Sequence, residues 1–216
     1  MLLTPLYVDE HLLVLNKPAG LLAVPGRGEL KQDCLSARAQ AQWPDALVVH
    51  RLDMATSGLV VMARGAPSQR LLSQAFAQRQ VHKRYLAVVA GRLHNPLPDN
   101  GWNSIDLPLI VDWPNRPRSI VRHSDGKPSQ TRWRLAEMAP TPDAANTRLE
   151  LEPVTGRSHQ LRVHLQAIGH PILGDALYAT PEQQAQAPRL LLHAAALRLQ
   201  HPAHGTWMEW DCPCPF

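Results

Sequence analysis

The sequence is short of cysteine, aromatic residues, net charge and long apolar runs, and each shortage excludes something. Cys34, Cys212 and Cys214 are the only three cysteines in 216 residues. An odd, low count excludes a disulfide framework and fits a reducing compartment. Cys212 and Cys214 form a C-x-C pair laced with prolines, with no second pair to complete a four-ligand zinc site, so they read as surface or tail cysteines. No stretch reaches about 18 apolar residues, which excludes a membrane helix, and residues 1–8 lack a basic segment and do not read as a signal peptide. The expected setting is the cytoplasm. Lys and Arg exceed Asp and Glu by 22 to 18, a net charge of +4. That excludes an acidic calcium buffer and a histone-like tail, and it permits a nucleic-acid partner without requiring one. There is no internal repeat, no low-complexity linker and no Gly-rich nucleotide loop. Proline is plentiful at 20 residues, against 12 glycines and 5% aromatics. Turns are therefore frequent, but the chain is not disordered in composition.

With 44% hydrophobic residues a chain of this length can bury a sizeable core. The pattern predicts strands over 6–8 and 12–15, separated by Asp9 and Glu10, with Lys17 to Gly20 ending the second. A helix is expected over 34–43, ended by Pro44, and another over 68–79 from the spacing of Leu71, Leu72, Ala75 and Phe76. Strands are expected over 47–50, 59–63 and 85–90. Residues 94–118 read as loop, with five prolines. Strands over 132–138 and 148–152 read as a hairpin across a Pro/Asp turn. A helix over 158–168 puts Leu161, Leu165 and Ile168 on one face, and strands over 190–199 and 207–210 follow. Strands and helices do not alternate as in a doubly wound sheet, so the expected class is α+β with a mixed, mainly antiparallel sheet in one domain over 1–216.

Three segments carry chemistry. In HRLDMATSGL (50–59) a strand end delivers Asp53 to a turn, two residues after Arg51; the plainer reading is a turn-capping aspartate. In TGRSHQLRVH (155–164) Gly156 permits a tight turn and Ser158 is placed to cap a helix. Arg157 then adds positive charge at the positive end of the helix dipole, against local preference. Such a placement calls for an acid or phosphate partner; a solvated arginine is the plainer alternative. His159 and His164 are five residues apart, about 140° around a helix, so they do not present the shared face that a metal pair needs. In HKRYLAVVAG (82–91) Tyr85 opens an apolar strand. On its own it reads as a half-buried strand tyrosine; beside a nucleobase its ring could stack and its hydroxyl handle a proton.

These three stretches, extended through LQAIGHPILGD (165–175), resemble the signature motifs of the RluA-type RNA pseudouridine synthases. NKPAGL (16–21) resembles the family's opening motif. The motifs stand in family order and the resemblance covers residues 6–212. DLPLIVDWPNRP (106–117) and GKPSQT (126–131) resemble a dual-specificity member that acts on 23S ribosomal RNA and on the anticodon stem-loop of tRNA. The resemblance implies a single catalytic domain without an S4-like RNA-binding domain, with RNA as partner; the lack of a long apolar run argues against a membrane, and a monomer is the default expectation. It implies Asp53 as nucleophile, Arg157 as its ion-pair partner and Tyr85 as the residue stacked on the flipped uracil. Arg51 would fill the space left by that base. Arg116, Arg118 and Lys127 would contact RNA, and Leu161 would line the base pocket or core. Because isomerisation needs neither a redox step nor a group donor, no cofactor and no metal are expected. The carboxylate has three routes open to it: attack on the sugar, attack on the base, or removal of the C2′ proton to give a glycal.

Three other functions compete with this one. An RNA-binding module without catalysis needs no Asp53, Tyr85 and Arg157 together. A nucleoside or glycoside hydrolase needs a second carboxylate flanking the bond, which the motifs do not show. A metal-dependent hydrolase is weakened by the histidine spacing.

Overall fold

The computed structural model describes residues 3–93, 101–136 and 145–216. The chain divides into two compact units: unit 1 comprises residues 1–83 and 194–215, and unit 2 comprises residues 84–193 with Phe216. The class is α+β, with mainly antiparallel pairing. The strand pairs described below are antiparallel, and a parallel bridge joins Leu22 to Cys34.

In unit 1, β1 (Tyr7–Val8) pairs with β2 (Leu12–Lys17), and β2 runs beside β4 (Ser57–Arg64). The short β3 (Ala46–Val48) also pairs with β4. Two helices belong to this unit, α1 (Leu35–Gln40) and α2 (Gly65–Ala77). The strand β12 (Trp207–Asp211) pairs with the C-terminal part of β11 (Leu192–Gln200). β4 is buried almost throughout, and this is why it reads as a continuous apolar run rather than an alternation. Its Leu59, Val61 and Ala63 meet Leu12, Val14, Leu72, Leu197 and Leu199 in one core. Cys212 is buried in that same core at 4% exposure, so it is a small core hydrophobe and not the surface or tail residue its C-x-C setting suggested. Cys34 is likewise buried, and its sulfur accepts from Ala37 N at the start of α1.

In unit 2, β5 (His82–Ala90, of which 84–90 lie here), β10 (Asn146–Pro153), β9 (Gln130–Leu135) and β6 (Asn103–Asp106) follow one another as antiparallel neighbours. The β9–β10 pairing gives the expected hairpin; most of its turn lies outside the described residues, as do residues 94–100 of the stretch read as loop. The inward positions alternate as strands require: Tyr85, Ala87 and Val89 face Leu149 and Leu151, with Thr131, Trp133 and Ile105 beyond. Against this face packs α3 (Gln160–Ala167). Leu161 and Leu165 are buried as the spacing requires, but so is every residue from Gln160 to Leu165. Its first six residues are enclosed on every side, so the polar members among them need partners.

The stretch read as loop contains β6 and β7 (Leu109–Val111), and β7 forms a separate hairpin with β8 (Ser119–Val121). Three-residue strands between prolines leave too little period-2 signal to read. The short α4 (Pro181–Ala185) is closed by a capping box from Thr180 and Gln183.

Candidate active site

In unit 1 the turn between β3 and β4 presents Asp53. The residue is half-buried, its carbonyl accepts from Thr56 N at 3.2 Å, and Thr56 and Ser57 behind it are buried. A buried lysine and a half-buried histidine hold this turn. Lys17, at 0% exposure, donates from Nζ to the carbonyls of Pro18 (2.8 Å), Leu21 (2.8 Å) and Met54 (3.0 Å). Gly20 N donates to the same Met54 carbonyl at 2.8 Å, and Gly20 can do so because it sits at φ +85°. The carbonyl of Met54, the residue after Asp53, therefore receives two donors from the NKPAGL segment. On the other side, His50 accepts from Val61 N at Nε2 (3.0 Å) and stacks on Phe76 with centroids 4.4 Å apart. Burial, reinforced by the Lys83 charge, pushes the His50 pKa down to about 3. The ring is neutral at physiological pH, with its proton on Nδ1 because Nε2 is the acceptor. Gly58 ends the turn at φ +111°, and a Cβ there would overlap the Ala194 backbone. Arg51 lies exposed on the same turn as Asp53.

In unit 2 the residues of the other motifs surround α3. Tyr85 is buried at 9% exposure and paired in register with Leu151. Arg157 is exposed in the turn before α3. The expected Ser158 cap is not made: the N-cap is His159 at φ +56°, without a side-chain cap bond, and Ser158 is exposed. Gln160 does the work of organising the turn instead. Its Oε1 accepts from Arg157 N (3.0 Å) and from the Thr155 hydroxyl (2.7 Å), while its Nε2 donates to the Gln130 carbonyl (2.8 Å) and to Thr131 Oγ1 (3.0 Å). A glutamine inside the helix can accept from the preceding loop and donate to the sheet at once, which a serine cannot.

Beneath the first turn of α3, Arg162 forms a bidentate pair with Asp175, at 2.8 and 2.7 Å, and the two side chains are 5% and 0% exposed. Asp175 also accepts from Leu177 N and Tyr178 N. Tyr178 is the hub of the region. Its hydroxyl accepts from Ser119 N (2.7 Å) and lies 2.8 Å from His159 Nδ1. The guanidinium groups of Arg162 and Arg118 stand over its ring at 5.0 and 5.4 Å. The β7–β8 hairpin, whose turn carries Arg116 with Arg118 where it joins β8, is thereby fastened to α3. Lys127, also exposed, is bridged to Leu109 of that hairpin through both backbone groups. Leu161 is buried on α3 at 7% exposure.

His159 and His164 are both engaged in hydrogen bonds. His164 is fully buried, with Nδ1 2.9 Å from Thr131 Oγ1 and Nε2 3.0 Å from the Leu107 carbonyl. Burial lowers its pKa, with the Leu107 hydrogen bond and the Asp106 charge acting in the opposite sense.

Within unit 1, then, Arg51 and Asp53 share one turn. Within unit 2, Arg157 and Leu161 lie at the entry to α3, with Arg116 and Arg118 tied to it through Tyr178. Sequence reasoning missed the scaffold: Lys17, His50, Tyr178 and the Arg162–Asp175 pair. All but Tyr178 lie inside the quoted motifs, so the signal was present; nothing in a linear motif separates a residue that reacts from one that holds the turn.

The family model for RNA pseudouridylate synthase matches residues 11–167. The chain belongs to the RNA pseudouridylate synthase family. It is 51% identical over 215 residues to the dual-specificity RNA pseudouridine synthase RluA of Escherichia coli O6:H1, covering 99% of this chain and 94% of that protein. The RluA of Yersinia pestis is 49% identical over 211 residues, covering 98% of each. Among solved structures, human RNA pseudouridylate synthase domain containing 1 superposes with a TM-score of 0.78 at 28% identity, over 99% of this chain and 84% of that one. As a member of this family the chain is an isomerase that acts on RNA, and the reading as a binding module without catalysis is not favoured. Among the described residues no helix is long and apolar enough to cross a membrane.

Proposed function

We propose that this chain isomerises uridine to pseudouridine in two RNA classes, 23S ribosomal RNA and the anticodon stem-loop of tRNA, with Asp53 as nucleophile. The observation that carries the reading is the Asp53 turn. A half-exposed carboxylate sits in the family motif on a turn tied down by the buried Lys17 at the Met54 carbonyl and by the half-buried His50 at Val61 N. A nucleophile on a rigid, over-determined turn needs little reorganisation before reaction. The dual specificity rests on the near-full-length identity to proteins of that name and on the DWPNRP segment.

The reaction breaks the N1–C1′ bond, turns the uracil and joins C5 to C1′; the C5 proton leaves and N1 gains one, so no atoms are gained or lost. The Asp53 carboxylate acts on the sugar or base, or takes the C2′ proton. Arg157, by its motif position, pairs with and orients that carboxylate, because a guanidinium fork matches carboxylate geometry. Tyr85 stacks on the flipped uracil and assists loss of the C5 proton. Removing the uridine from its stack costs a few kcal/mol, and Arg51 fills the space it leaves. Arg116, Arg118 and Lys127 neutralise phosphates, and Leu161 supports the base pocket. Residues 1–216 work as one catalytic domain, as a cytoplasmic monomer.

The test is Asp53→Ala, assayed by chemical mapping of pseudouridine in stem-loop and ribosomal RNA. Product formation should be abolished while RNA binding persists; wild-type turnover in this variant would overturn the assignment. Arg157→Lys should lose most activity with the loss of the fork, and full retention would remove the proposed pairing.

A further inference from the structure

The β7–β8 hairpin ends in a tip that the catalytic roles above leave unexplained. Trp113 stands there 64% exposed, in a protein with few aromatics to spare. The Arg116 guanidinium lies over the indole ring at 4.6 Å, and Arg116 Nε donates to the Trp113 carbonyl at 3.1 Å. The tip is closed by Asp112 N to the Arg118 carbonyl (2.9 Å), Asn115 N to the Asp112 carbonyl (3.1 Å) and Arg118 N to the Asn115 carbonyl (3.1 Å). Asn115 Nδ2 adds a bond to the Asp112 carboxylate at 2.9 Å. At its root the hairpin is fixed by the Ser119–Tyr178 bond and by a small core of Leu109, Val163 and Tyr178 packed with Val121. The indole is thus held out from the surface on a rigid, hydrogen-bonded tip, anchored on the helix that carries the Arg157 motif.

We propose that Trp113 is a substrate-binding residue: a stacking platform for one unpaired loop nucleobase other than the target uridine, with Arg116 stacked on the indole and directed to the neighbouring phosphate. This rests on the reading of the chain as a pseudouridine synthase. An exposed indole has no packing reason to be rigid, and a rigid one loses little entropy on contact. Every base has a π face, so such stacking tolerates sequence while requiring an unstacked base. Two cations within six residues of the indole, Arg116 and Arg118, favour a polyanion over an apolar protein surface. A platform of this kind admits RNAs of different sequence provided each offers a splayed loop base, which is the recognition that an enzyme with two RNA substrates requires.

The experiment is steady-state pseudouridine formation on a synthetic anticodon-type stem-loop by wild type, Trp113→Ala and Trp113→Phe. Trp113→Ala should raise KM about tenfold, the usual loss for one base–aromatic stack, with kcat within about twofold because the stacked base is not the one that reacts. Trp113→Phe should recover most of the loss, and the salt dependence of binding should be the same in all three, since no phosphate contact is removed. Stem-loops with single abasic replacements at each unpaired position should show one position whose loss weakens wild type but not Trp113→Ala. A wild-type KM in Trp113→Ala, or additive losses at every position, overturns the platform while leaving the enzyme assignment intact, and would turn the tip toward a protein partner. Absence of product with the wild-type chain would instead remove the functional reading and this inference together.

Discussion

Each unit holds its motif residues with a buried cation, and the two cations are satisfied in different ways. Lys17 in unit 1 gives its ammonium to three backbone carbonyls. Arg162 in unit 2 is locked to a buried carboxylate, Asp175, which in turn collects two backbone N–H groups. Removing the first leaves three carbonyls short of a donor; removing the second leaves a full negative charge in the interior. The carbonyl cage suits a turn that must be placed accurately, because each carbonyl is part of the chain being placed. The ion pair suits a junction where a helix, a loop and a hairpin meet, because a charged partner penalises any arrangement that separates it.

The largest effect should come from breaking the ion pair. Arg162→Leu strands Asp175 and should cost about 3–5 kcal/mol of stability, read by denaturant unfolding. Replacing both partners with apolar residues should recover part of this but not all, since Leu177 N and Tyr178 N lose their acceptor. A loss under about 1 kcal/mol in the single variant would mean that the interior there admits water.

Lys17→Met keeps the aliphatic stem and removes the ammonium. The expected stability loss is smaller, about 1–3 kcal/mol for carbonyls left short of a donor. Activity should fall by more than stability explains, because Met54 is the residue after Asp53. A variant destabilised to that extent yet fully active at low temperature would show that the turn holds its shape without the cage.

The difference between the cages also explains what could be read from the sequence. Strands with several alternating or continuous apolar residues were legible, β2, β4, β5 and β10 among them, because burial on one or both faces leaves a period of two or a run. The helix α3 was legible from Leu161 and Leu165, yet its enclosure was not, since Gln160, Arg162 and His164 read as a polar face until their partners are known. The hairpin β7–β8 was lost among prolines. Asp53, Tyr85 and Arg157 were singled out through motif resemblance; composition alone left each with a plainer reading. Lys17 and His50 stood inside quoted motifs without a role, because a buried lysine and a surface lysine are the same letter. Ser158 looked like the cap because local rules favour serine there, whereas Gln160, accepting from the turn and donating across to the Gln130–Thr131 strand, makes the turn.

The smallest effect at neutral pH, and the one that separates the two scaffolds most finely, concerns histidine. His50 is buried as the neutral acceptor of Val61 N, with its pKa held down to about 3, while an unfolded histidine titrates near 6.5. Its contribution is therefore complete above about pH 6.5 and is lost as pH falls toward 3, at about 1.4 kcal/mol per pH unit. His164 is lowered by burial too, but its Leu107 bond and the Asp106 charge favour the protonated ring, so its acid penalty should be the smaller. His50→Gln preserves an acceptor for Val61 N and removes the titration. At pH 7 it should change stability by less than about 1.5 kcal/mol, the worth of one hydrogen bond, and between pH 6 and 4 it should gain steadily on wild type. His164→Gln should flatten the acid slope less. Equal slopes in wild type and His50→Gln would show that the His50 ring can be protonated in the folded chain.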